Sequence, residues 1–225
     1  MVKNAEAHSI AYYISAHGYG HGVRSCQIIR AVKRLHPRIG IHVVSNLHAS
    51  FLRDRMGDSQ WTPRAEALDV GMVQRDSIRV DVAATLGRVR ELYARRAELV
   101  GRESDFLRQI NAGVVVTDIP AIPIEAAAAL GIPSVAVGNF SWDWIYSEFV
   151  ERDSGWREIV DVLKEQYSQA GLLLRLPFCG DMSVFPRILD IPLTAAPGNP
   201  RRNRITGLTG CRGDKKWALL SFTTL

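Results

Sequence analysis

The chain has 225 residues, enough for one good core or for one domain and the start of a second. Its 47% apolar and 23% charged content is that of an ordinary globular protein, and no run of about 18 apolar residues offers a membrane span. The net charge of +5 lacks any accompanying nucleic-acid recognition motif, so a solvated basic face, or peripheral contact with an anionic membrane or acidic substrate, is expected rather than nucleic-acid binding.

The first residues, Met1 to Glu6, carry no apolar signal core, which makes the cytoplasm the default location. Cys26, Cys179 and Cys211 are far apart and form no CxxC pair, so reduced and mostly buried thiols are expected.

Ile10 to Ser15 reads as a buried first strand. Glycines and histidines crowd the turn that follows, His17-Gly18-Tyr19-Gly20-His21-Gly22. From Val23 apolar residues recur at helical spacing until Pro37. Ile39 to Ser45 is a second strand, Ala49 to Met56 a short helix, and a third strand falls within Ala67 to Val73. The apolar stripe from Val80 to Ile110 predicts one long helix. Gly113 to Asp118 is a strand ending in an acid, and Pro120 to Leu130 an alanine-rich helix. Pro133 to Val137 is another strand, followed by the aromatic stretch Gly138 to Phe149. Trp156 to Ala170 is an amphipathic helix and Leu172 to Leu176 a short strand. Pro177 to Asp214 reads as surface and linker, and Trp217 to Thr223 as a new strand. The alternation predicts an α/β fold: a Rossmann-like, doubly wound parallel sheet with helices on both faces.

Three chemistries compete for the glycine turn. A dinucleotide fingerprint fits Gly18 and Gly20, but Val23 holds the third glycine position and Ser45-Asn46 stands where a ribose-binding acid belongs. No Walker lysine follows, which removes a P-loop. A metal site would need more than His17 and His21, and no third ligand is evident, so no metal or resident cofactor is expected. Acid–base work remains. In a 3-2-1-4-5 sheet the first and fourth strands are neighbours, so His17 and Asp118 reach one carboxyl edge and form a candidate base and orienting acid. Helix capping by Asp118 and loop hydrogen bonding by His17 are the structural alternatives.

The segments HGYGHGVR, VVVTD, GIPSVAVGNFSWDWIY and RLPF together resemble the amino-terminal half of GT-B glycosyltransferases. They are also similar to the glycosyltransferase-like region fused to a sugar kinase in plant L-arabinokinase, and to its free-standing bacterial relatives. The resemblance implies an acceptor-binding domain over residues 1–200, with 201–225 as linker and first strand of a donor-binding domain that the chain would lack. It implies His17 as base, Asp118 as its acid, a nucleotide-sugar co-substrate and a sugar or glycolipid acceptor. Gly18, Gly20, His21, Asn139, Ser141, Trp142 and Asp143 are the expected acceptor-binding residues, Trp142 by stacking on a pyranose face and Asp143 by accepting hydroxyl hydrogen bonds. Packing of Trp142 and Trp144 against the next helix is the alternative. Either a truncated product or a split enzyme, completed by a separate donor subunit, is implied. A non-catalytic sugar-binding or regulatory module and a sugar-nucleotide epimerase of the same fold stay open.

Overall fold

A computed structural model describes residues 9–76, 78–195, 199–211 and 216–218. Its centre is a seven-stranded, wholly parallel sheet in the order β3-β2-β1-β4-β5-β6-β7. The strands are β1 (Ser9–Ile14), β2 (Gly40–Val44), β3 (Thr62–Arg64), β4 (Ala112–Asp118), β5 (Ser134–Gly138), β6 (Leu172–Arg175) and β7 (Ile188–Asp190). The helices are α1 (Tyr19–Leu35), α2 (Ala49–Met56), α3 (Val82–Ala94), α4 (Arg96–Gln109), α5 (Ile122–Ala129), α6 (Trp142–Ser147), α7 (Trp156–Ser168) and α8 (Arg202–Thr209).

β1 is buried along its whole length, as a central strand covered on both faces must be. Its residues alternate between two cores. Ile10, Tyr12 and Ile14 pack with Cys26 and Ile29 of α1 and Leu52 and Met56 of α2. Ala11 and Tyr13 face the other way, onto Leu99 and Leu107 of α4 and Ile122 and Ala126 of α5. A third cluster joins α3, α6 and α7 over β5 and β6. This is the doubly wound arrangement expected from the alternation of strands and helices.

Several elements differ from expectation. The first helix starts at Tyr19, not Val23, so Gly20, His21 and Gly22 are helical and only Gly18 caps it from an extended conformation. The third strand is Thr62–Arg64, not within Ala67 to Val73. Gly71, at φ +71°, breaks extension there and turns the segment toward β1. The long helix is two. Arg95 closes the first with a three-residue turn onto the Leu92 carbonyl, which lets α3 pack on α7 and α4 on α5. The supposed linker contains β7 and α8. The expected strand at Trp217 to Thr223 lies outside the described residues from 219 onward, and Trp217 itself is irregular. Only Cys26 is buried, its thiol pushed up to about 11 by desolvation, while Cys179 and Cys211 are exposed. Among the described residues no helix is long and apolar enough to cross a membrane.

Candidate functional site

The site lies at the carboxyl edge where β1 and β4 run side by side, with Ile14 opposite Asp118. The strand order reverses direction across this pair, the position at which open α/β sheets bind their ligands. Asp118 is fully buried. It does not cap α5, whose N-cap is Ala121 with no side-chain bond. The residue after it, Ile119, sits at φ +87°, a region that a β-branched side chain rarely occupies. Such a conformation costs about 1–3 kcal/mol and persists only where neighbours enforce it. Here the Thr117 hydroxyl donates to the Pro120 carbonyl at 2.7 Å, and the Tyr167 hydroxyl to the Ile119 carbonyl at 2.9 Å. The strain sets the exit of β4 directly beneath the acid.

The carboxylate is answered by one face of α1. Residues at i, i+3 and i+4 share a helix face, and His21, Arg24 and Ser25 occupy those positions. His21 Nδ1 lies 2.8 Å from Asp118 Oδ1. Arg24 grips both oxygens, with Nε 2.6 Å from Oδ2 and Nη2 on Oδ1. The Ser25 hydroxyl donates to Oδ2 at 2.8 Å. Burial pushes the Asp118 carboxyl up, but the Arg24 and His21 bonds more than reverse this and hold it below the ordinary range. Arg24 also donates to Asn139 Oδ1 at 3.3 Å, tying the loop after β5 to the same centre.

The expected pairing of Asp118 with His17 is therefore replaced by a pairing with His21. The reason is the early start of α1, which points His21 inward and leaves His17 outside the helix. His17 is exposed and is wrapped by the segment after β3. Its Nδ1 accepts the Met72 backbone N–H at 3.3 Å, and its ring meets Trp142 edge-on at 5.4 Å. A Cβ on Gly71 would stand 2.2 Å from Nδ1, so only glycine permits the approach. Partial burial pushes the His17 pKa down, with the Asp69 charge opposing. Asp69 takes the Trp142 indole N–H at 3.0 Å, and burial pushes its own carboxyl up.

Gly18 and Gly20 face open space where a Cβ would stand. Ser141 is sealed from solvent. Trp142 is 2% exposed. His17, Phe140 and Tyr146 surround its rings, so it has no face free to stack on a sugar, and the packing alternative holds for it. Asp143 is also buried, and burial pushes its carboxyl up against the lowering effect of Ser141 and the Trp144 backbone N–H. Trp144 is more open. With Asp143, Lys164, Asp181 and Ser183 it lines a cavity of about 280 Å³. Among the described residues no group of three or more His, Cys, Asp and Glu could hold a metal ion.

Arg24, Ser25, Asp69 and Met72 were not singled out from sequence. The first two carry a legible signal once His21 is placed on a helix. Asp69 and Met72 carry none, because an irregular loop delivers them.

No family model matches the sequence. The chain is 34% identical over 215 residues, 94% of its length, to L-arabinokinase of Arabidopsis thaliana, and spans 20% of that protein. Among solved structures, a UDP-glucosyltransferase from Polygonum tinctorium capable of glucosylating indoxyl aligns with 89% of this chain and 56% of its own, at 15% identity and a TM-score of 0.51. UGT89C1 of Arabidopsis thaliana complexed with quercetin aligns with 91% of this chain and 55% of its own, at 13% identity and the same TM-score. At those identities the likeness is one of fold.

Proposed function

We propose, taking as premise that the chain is a GT-B-fold glycosyltransferase-like domain related in sequence to L-arabinokinase, that it supplies the acceptor-binding side of a nucleotide-sugar-dependent sugar transfer. Residues 1–200 form that side in this reading. The stretch from 201 leads toward a donor-binding half, in cis or as a separate subunit. A sugar or glycolipid hydroxyl approaches the carboxyl edge of β1 and β4. His21 Nε2 takes its proton as the hydroxyl oxygen bonds to the donor's anomeric carbon, and the bond from that carbon to the nucleotide phosphate breaks. Asp118 holds the imidazole in register, and Gly18, Gly20 and Asn139 border the acceptor.

One observation carries this reading. Asp118 is an obligate acceptor, so the proton of a neutral His21 sits on Nδ1 and Nε2 presents a lone pair. Nε2 makes no hydrogen bond within the described residues and is not among the sealed polar atoms. The 3.0 Å approach of Arg24 Nη2 to Nδ1 follows from two donors converging on Oδ1.

A non-catalytic sugar-binding module is the second reading, and Arg24 favours it. Its guanidinium neutralises Asp118 and so weakens the help that the carboxylate gives to an imidazolium. Acceptor binding by the chain, read by saturation-transfer NMR with methyl glycosides, tests what both readings share. Turnover of the chain completed by its donor half separates them. His21→Ala should cut turnover by about two to four orders of magnitude with acceptor affinity nearly unchanged. Undiminished turnover would remove His21 from the chemistry, and no turnover in the wild type would favour the binding module.

A further inference from the structure

The two histidines of the site are held by partners of opposite kind. Asp118 can only accept, which fixes the proton of neutral His21 on Nδ1. A backbone N–H can only donate, and the one from Met72 occupies His17 Nδ1. The lone pair of His17 is thereby spent on Nδ1, and its proton belongs on Nε2. That nitrogen has no hydrogen-bond partner among the described residues, on a side chain that is exposed at the carboxyl edge. Between the imidazoles stand two rings in series. Phe140 meets His21 at 5.7 Å and Trp142 at 5.2 Å, and Trp142 meets His17 at 5.4 Å.

We infer that His17 is a hydrogen-bond donor, locked in the Nε2–H tautomer by the Gly71-Met72 backbone, and that it binds an oxygen of the same polyhydroxylated ligand whose reacting hydroxyl faces His21. One imidazole accepts and the other donates, so a ligand must present a hydroxyl proton at one point and an oxygen lone pair at the other. Partial desolvation of the ring pushes the His17 pKa down against the opposing charge of Asp69, in the direction of a ring with a single proton. Gly71 is part of the device, since any side chain there would drive the ring off the Met72 N–H. The ligand's identity rests on the proposed acceptor role; the tautomer does not.

Two measurements on the 225-residue chain test this. Long-range proton–nitrogen NMR at pH 8 should show the His17 proton on Nε2 and the His21 proton on Nδ1. A His17 proton on Nδ1 overturns the inference. Binding of a panel of methyl glycosides is then compared in two variants. The amide of Gln places an N–H near Nε2, whereas that of Asn falls near Nδ1. His17→Gln should keep affinity within about twofold of wild type, and His17→Asn should weaken it about tenfold, the loss of one hydrogen bond. Equal affinities for the two variants, with the wild type binding sugar, overturn the donor role alone. A wild type that binds none of the glycosides overturns the acceptor reading and the donor role with it, whatever the NMR shows of the tautomer.

Discussion

Asp118 has three hydrogen-bonding side chains on one helix face and no exposure to water. Replacing it with Asn keeps the volume but leaves the Arg24 guanidinium without its counter-charge. Breaking a buried pair from one side costs about 3–5 kcal/mol, and urea unfolding at pH 7 should show a loss at the low end, since Arg24 retains some solvent. The sign of the pH dependence follows from the lowered pKa of Asp118. Its stabilisation is present above the unfolded value of about 3.9 and is lost as pH falls through the lower folded value. The gap between wild type and Asp118→Asn should be full above about pH 5 and shrink below about pH 4. A gap that widens in acid would mean that folding raises the pKa of this carboxyl instead of lowering it. The acid itself was legible in the sequence as the last residue of a strand neighbouring the first. Its partner was misread because a turn of three glycines does not look helical, and the choice between His17 and His21 depends on where the helix begins.

At the level of elements, the glycines of α1 divide into two kinds. A Cβ on Gly22 would lie 2.5 Å from Phe51 Cε1 and 2.7 Å from Leu47 Cδ1, where α1 rests on α2 and the turn before it. A Cβ on Gly20 would meet nothing within 4 Å. Gly22→Ala should therefore lower stability by about 1–3 kcal/mol through overpacking, whereas Gly20→Ala should raise it by up to about 1 kcal/mol through helix propensity. Thermal unfolding of the two variants, moving in opposite directions, is the check; a shared direction would mean that α1 and α2 are packed otherwise. Hydrophobic periodicity made α7 and most of α1 readable, because each lays one stripe on the core. It did not reveal the break at Arg95, since the stripe of Leu92, Tyr93, Leu99 and Val100 runs on across it. It also missed β3 and β7, at three residues too short to show any period.

For the whole molecule, the alternation of strands and helices was enough to give the parallel sheet and the β1–β4 neighbourhood, and with it the place of the site. Loops were not readable, and they bring Asp69, Gly71 and Met72 to His17. The proposed division of labour puts the acceptor on this sheet edge and the nucleotide elsewhere. Thermal unfolding of the chain should then be unmoved by UDP at millimolar concentration, because only a ligand that binds the folded state raises its stability. A clear rise with UDP would bring the nucleotide onto this half and overturn that division.

Both margins of the sheet are minimal strands, and each is pinned by an arginine–carboxylate pair. On β3, Arg64 forks onto Glu103 of α4, which also takes the Tyr13 hydroxyl of β1 at 2.8 Å. On β7, Asp190 takes the Arg175 guanidinium of β6, with Nε at 2.6 Å and Nη2 at 3.0 Å. An open parallel sheet would otherwise offer two rows of free backbone groups to any extended chain in reach. Three-residue margins with a charge on each leave little template for a second molecule to zip onto. The consequence concerns handling and crowding more than chemistry. Neutralising Arg64 would loosen β3 and bare the backbone edge of β2, Gly40–Val44, to pairing with a second chain.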